Sequence, residues 1–234
     1  MDLDFISAKR HKRVFEVRGY FYDMQLQDEI VSSRSVLEIV RQHYPLPRES
    51  TTALPDAIVI MMNPGSSRPR MGKPEQLQLH QIPLSAPRMV ATRPDNTQYQ
   101  IMRIMHFCHW NMVRVLNLSD VREASSAAFM VRFDELEKQL SYTQHSLFEE
   151  SRSSELARYM ERRVSAPVIA AWGMDKKLNT LIRQCTTALA AHCAHVGLVS
   201  RQDTGRFLHP LQLTQRDKEL WVYRMVAMLS QHGG

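Results

Sequence analysis

An α/β fold is predicted, in three α/β/α layers around a central, mainly parallel four-stranded sheet. Three features of the 234-residue sequence carry this expectation. Residues 57–62 (AIVIMM) and 167–172 (PVIAAW) are apolar almost throughout, as strands buried on both faces are. Both runs stop at turn formers, Asn63-Pro64-Gly65 and Gly173. Between and after them lie segments with apolar residues at helical spacing, and such alternation favours a parallel sheet covered on both sides.

The elements follow in order. Residues 15–25 (FEVRGYFYDMQ) read as a strand pair and 35–44 (SVLEIVRQHY) as a helix, together an edge extension over 1–55. The first core strand is 57–62; 99–110 is helical and 112–118 (MVRVLNL) is the second strand. Helices are expected over 129–140 and 153–163, then a third strand at 167–172. Leu178, Leu181, Ile182, Cys185, Leu189 and Val196 mark one face of a long helix that Gly197 ends. Residues 198–200 begin a fourth strand. A last helix over 214–234 opens with Thr214 three residues before Asp217, an approximate capping box. No linker separates these parts, so one domain is expected, with its core at 56–213.

Composition narrows the classes. No uncharged apolar stretch is long enough to span a membrane, and MDLDFISAKRHKR does not read as a secretory signal. Three cysteines, an odd number, point away from a disulfide framework and towards the cytoplasm. The charge is basic, 30 Lys+Arg against 24 Asp+Glu, and its distribution is uneven. Arg68, Arg70, Lys73, Arg88 and Arg93 share a proline-rich insertion in which Glu75 is the one acid. A stiff basic loop suits a polyanion, although a solvated surface insertion has the same composition. His106, Cys108, His109, Cys185, His192, Cys193 and His195 form no metal-ligand spacing, so no metal is expected.

Ligands of parallel sheets bind beyond the carboxyl ends of the strands. Those ends carry Asn63-Pro64-Gly65, Asn117-Leu118, Trp172-Gly173 and, after a short loop, His209-Pro210-Leu211. They offer two amides, an imidazole and backbone N–H groups, without a Walker lysine or a Ser-His-Asp order. Each residue also has a plain structural reading: a turn at Asn63, a loop cap at Asn117, a satisfied buried imidazole at His209.

The order NPG, VLNL followed by Arg122, AAWG and LHPL resembles the uracil-DNA glycosylase superfamily, in particular its mismatch-specific branch with G-x-NPG. More narrowly, NPGS, NL, AWG and G-x-x-x-HPL resemble an uncharacterised prokaryotic and phage family. The resemblance covers residues 55–213. Met62 precedes the NPG motif, and Leu211 stands where the superfamily has serine. The resemblance implies a cofactor-free, monomeric enzyme that flips a base out of DNA. Asn63 would orient water toward C1′ and His209 would donate to the departing base. Asn117 would read the base edge, with Tyr99 or Phe107 as its aromatic platform. Gly65, Ser66, Ser67, Arg68, Arg70, Gly173 and Arg206 would contact the DNA backbone, and Leu211 with Leu213 would enter the stack. Family context points to a modified pyrimidine, such as hydroxymethylated or glucosylated cytosine, in repair or anti-phage defence. A non-catalytic module for modified DNA or nucleotide, and an enzyme of free nucleotides, stay open beside it.

Overall fold

A computed structural model describes residues 7–45, 53–83, 87–190, 192–200 and 203–232. The parts of the expected 1–55 extension and of the insertion that fall on 1–6, 46–52 and 84–86 lie outside the described residues. The strands of the main sheet are β1 (Phe15–Leu26), β2 (Glu29–Arg41), β3 (Ala57–Met61), β4 (Arg68–Pro69), β5 (Glu75–Gln78), β6 (Val90–Arg93), β7 (Met112–Asn117) and β8 (Val168–Ala170). A separate antiparallel pair, β9 (Val199–Ser200) and β10 (Asp203–Phe207), follows later in the chain. The helices are α1 (Ala8–His11), α2 (Asn96–Phe107), α3 (Ser126–Lys138), α4 (Ser153–Met160), α5 (Asn179–Ala190) and α6 (Gln215–His232).

The main sheet has eight strands in the order β4-β6-β1-β2-β7-β3-β8, with β5 added beside β1. This corrects the expected central, mainly parallel four-stranded sheet. Strands β7, β3 and β8 do run parallel, and Val196 adds an isolated parallel bridge to Ile169. The pairings β1–β2, β2–β7, β1–β6 and β4–β6 are antiparallel, so the sheet is mixed. The cause lies in residues 35–44, which read as a helix. Residues up to Arg41 instead continue β2, which pairs antiparallel with β7. Val36, Leu37, Ile39 and Val40 mimic a helical face because β2 lies inside the sheet and buries both of its sides. Glu38, among them, is held at 2.7 Å from Arg18 and 3.3 Å from Arg114. Residues 15–25 are accordingly one strand and not a pair.

The insertion is also more ordered than a loop. Its strands β4, β5 and β6 widen the sheet, and the Arg70 N–H donates to the Ala91 carbonyl at 2.8 Å. Alternation along β3 divides the core. Ile58 and Ile60 pack with Phe129, Leu156, Leu181 and Cys185, under α3, α4 and α5. Ala57, Val59 and Met61 pack with Ile101, Met105, Trp221 and Met225, under α2 and α6. The chain leaves β3, β7 and β8 at one end of the sheet, and the candidate site lies there. No helix of the described residues is long and apolar enough to cross a membrane.

Candidate active site

Asn63 lies two positions beyond β3, after Met62. Its Nδ2 donates to the carbonyls of Glu123 at 2.7 Å and Val121 at 3.4 Å, both beyond the end of β7. These bonds fix the orientation of the amide. They also leave Oδ1 as the free end, with no protein donor among the described residues. Gly65 turns the chain with φ +64°, a left-handed conformation that glycine adopts without strain.

Beneath this turn lies Arg34, fully buried on β2. The pairing of β1 with β2 slips there, from Tyr20↔Val36 to Phe21↔Arg34, so Ser35 is bulged out. Arg34 donates to the Pro64 carbonyl at 3.3 Å. With the Asn117 amide in the orientation that satisfies it, Asn117 accepts from Arg34 at 3.2 Å and donates to the Asn63 carbonyl at 3.1 Å. Asn117 is 0 % exposed and both ends of its amide are engaged. The expected base-reading role is therefore corrected: Asn117 supports the turn from below. Burial lowers the Arg34 pKa to about 10, because the bonded partners are neutral and its Nε has none.

His209 enters from the loop after β10. Gly173, just past β8, donates its N–H to the Phe207 carbonyl at 2.9 Å, and a Cβ on it would stand 3.9 Å from the His209 Cβ. Strands β3 and β8 are parallel neighbours, and the Ala171 N–H still donates to the Ile60 carbonyl at 2.8 Å, so the asparagine and histidine loops leave the same end of the sheet. His209 Nδ1 accepts from the Leu211 N–H at 3.2 Å, which leaves the proton on Nε2. Burial lowers its pKa to about 4, so the imidazole is a neutral donor at pH 7. Gln100 of α2 holds this loop in place, donating to Pro210 at 3.2 Å and to Lys218 at 3.1 Å.

The remaining candidates divide. Ser66, Arg68, Arg70 and Leu211 are exposed, as are Lys73, Arg88 and Arg93. Arg70 also ties β4 to β6 through a bond from its Nε to the Thr92 carbonyl at 3.1 Å. Arg206 reaches the Met174 carbonyl at 3.4 Å, next to Gly173. Leu213 is 99 % exposed. Ser67 is corrected: its hydroxyl is sealed in, and its carbonyl accepts from Arg122 at 2.9 Å. The aromatic platform is corrected as well. Tyr99 is buried on α2 under the Lys12 ammonium. Phe107 ends that 12-residue helix, roughly 16 Å along its axis from the Gly65 end.

Sequence reasoning missed Arg34 and Asp95. Asp95 caps α2, its Oδ1 accepting from Thr97 at 3.0 Å and Gln98 at 3.1 Å. A Cβ on Gly65 would meet its other oxygen, Oδ2, at 3.1 Å. Its spacing before Gln98 and the helix was a visible cap signal, but the contact with Gly65 spans 30 residues of chain. Among the described residues no group of three or more His, Cys, Asp and Glu is arranged to hold a metal.

The family model described as "Protein of unknown function (DUF1643)" matches residues 69–211, more than half of the chain. The chain belongs to the DUF1643 family. In this DUF1643 protein the matched stretch contains Asp95, Asn117, Gly173 and His209, while Asn63 and Gly65 lie just before it. No curated protein and no solved structure matches.

Proposed function

We propose that the protein is a monofunctional DNA glycosylase. It hydrolyses the N-glycosidic bond of a flipped, modified pyrimidine and leaves an abasic site. The observation that carries this reading is the Asn63 amide. Its nitrogen is clamped by two carbonyls and its oxygen is left to a water, at the same end of the sheet as the loop that presents a neutral imidazole donor. Breaking a base–sugar bond develops positive charge on the sugar and negative charge on the departing base. A fixed amide that orients water, and an Nε2–H aimed at the base oxygen, serve the two ends of that transition state. The exposed arginines and lysine of the insertion give the site a basic margin suited to phosphates. Leu211 and Leu213 suit the space that an extruded base leaves in the stack.

The test uses DNAs carrying cytosine, hydroxymethylcytosine, glucosylated hydroxymethylcytosine or uracil, assayed for alkali-labile abasic sites. Abasic sites in one DNA, lost in Asn63→Ala, are the expected result. Binding to DNA without cleavage of any of the four would overturn the glycosylase reading and favour a recognition module.

A further inference from the structure

The run Lys9-Arg10-His11-Lys12-Arg13 is basic throughout, and the cleft makes no use of it. Helix α1 and the turn after it present Lys9, Arg10, Lys12 and Arg13 to solvent, while His11 is buried. The segment is docked on the core. The His11 ring lies 6.0 Å from that of Phe15, and the Lys12 ammonium stands 5.7 Å over the Tyr99 ring of α2. Two further elements bring cations to the same surface. Arg41, the last residue of β2, lies 5.1 Å over the Phe15 ring and donates to Asn111 Oδ1 at 3.1 Å. Arg103 and His106 come from the second half of α2. Burial, and then Arg103, His106 and Arg10, lower the His11 pKa to about 4. His106 is lowered in turn by burial, Arg41, Arg10 and His109. Charges from α1, β2 and α2 thus face one another across a single patch.

The patch lies at the opposite end of the sheet from the cleft. Val40 of β2 pairs with Met112, the first residue of β7, whereas the candidate site lies beyond Asn117, its last. Helix α2 agrees: Asp95 caps it beside Gly65, and Arg103 and His106 follow about two and three turns further on. Acids do not balance the patch. Lys9, Arg10, Lys12, Arg13 and Arg41 enter no ion pair among the described residues. Asp56, at the same end of the sheet, is taken by Arg163 at 3.1 Å and by the N–H groups of Asn111 and Met112. Glu219 of α6 faces Arg103, and Glu16 of β1 stands at the margin.

We infer that this surface holds the phosphodiester backbone of a nucleic acid, apart from the cleft. Cations that neutralise phosphates release condensed counterions, so such a surface binds without reading sequence. An anionic membrane attracts the same charge, but a membrane-binding face pairs its cations with exposed apolar side chains. None of the large apolar side chains exposed among the described residues lies on α1, on α2 or at residues 12–16 and 41–45. The inference does not rest on the glycosylase reading, since backbone contacts need neither the cleft nor cleavage.

The test follows binding of the whole protein to an unmodified duplex DNA by fluorescence anisotropy across a range of NaCl concentrations. The variant combines Lys9→Gln, Arg10→Gln, Lys12→Gln and Arg13→Gln. The slope of log Kobs against log salt should lose about 3–4 in magnitude, because each phosphate contact contributes about 0.9. Affinity at low salt should fall about tenfold or more. Lys9→Gln with Arg13→Gln is the milder second variant; both side chains are exposed, so thermal unfolding should not move, and the slope should lose about 2. Duplex RNA and anionic phospholipid vesicles are run beside the DNA. A reduced slope with either nucleic acid supports the inference. Unchanged slopes with both, or no binding of either by the wild type, would overturn it. So would vesicle binding that falls in the variants while nucleic-acid binding stays. The duplex is unmodified, so none of these outcomes depends on whether the protein cleaves DNA.

Discussion

Two arginines are fully buried near the candidate site, and they are held in opposite ways. Arg152 donates to Glu155 through two bonds at 2.9 and 3.0 Å, to Asp120 at 2.8 Å and to the Gln144 carbonyl at 2.9 Å. Tyr22 donates to the same Asp120 oxygen at 2.8 Å. Two carboxylates hold its pKa well above the ordinary arginine value, despite burial. Arg34 bonds to a backbone carbonyl and a side-chain amide, and its Nε is unpartnered. Burial prevails there and lowers the pKa. The first arginine is locked into a closed network that ties α4 to the chain beyond β7. The second keeps a charge with no carboxylate hydrogen-bonded to it under the turn that carries Asn63. A protein retains such a charge where it acts on something else, and the turn and Asp95 are what it faces.

Breaking the lock has the largest expected effect. Arg152→Met strands two buried carboxylates and should cost about 3–5 kcal/mol, a fall in Tm of roughly 10 °C in thermal denaturation. Acid should come next, and it acts on the cleft side. His209 has its pKa lowered to about 4, so above the ordinary value of 6.5 both folded and unfolded chains carry it neutral. As pH falls below that, the unfolded chain takes the proton first, and about 3 kcal/mol of stability is lost by the time pH reaches the folded value. His11 adds a similar slope, since burial lowers its pKa to about 4 as well. Urea unfolding against pH checks this, and His209→Gln should flatten part of the slope. Gly65→Ala should cost about 1–2 kcal/mol through its left-handed backbone, and it displaces Asp95 as well. Arg34→Met should have the smallest effect on stability, within about 1 kcal/mol, because a buried charge whose desolvation outweighs its attraction to Asp95 and Asp120 leaves with it. On the proposed glycosylase reading it should still slow abasic-site formation about tenfold by releasing Asn117 and the turn. A large loss of stability in Arg34→Met would erase the difference between the two arginines.

The same contrast marks what the sequence made legible. The runs around β3, β7 and β8 were readable because strands buried on both faces leave unbroken apolar stretches. Asn63 and His209 could be placed because they sit directly at strand ends and short loops. Residues 35–44 misled because Val36, Leu37, Ile39 and Val40 satisfy helical spacing as well as a two-sided strand, and only the pairing with β7 decides between them. Arg34 carried no signal, since one bulge at Ser35 sets its position in the pairing with β1. Asn117 was found, but its orientation depends on Arg34, which lies 83 positions away in sequence and could not be read with it.

Helix α2 has one further consequence. Its first turn carries Asp95 against Gly65, and one turn later Gln100 grips the loop that bears His209. The two walls of the cleft are therefore indexed to a single rigid rod. A ligand that shifts one wall shifts the other by the same amount, so the cleft resists being wedged open from one side. It keeps its calibre, and on the glycosylase reading proposed above a base that does not fit would be turned away by distance as well as by chemistry.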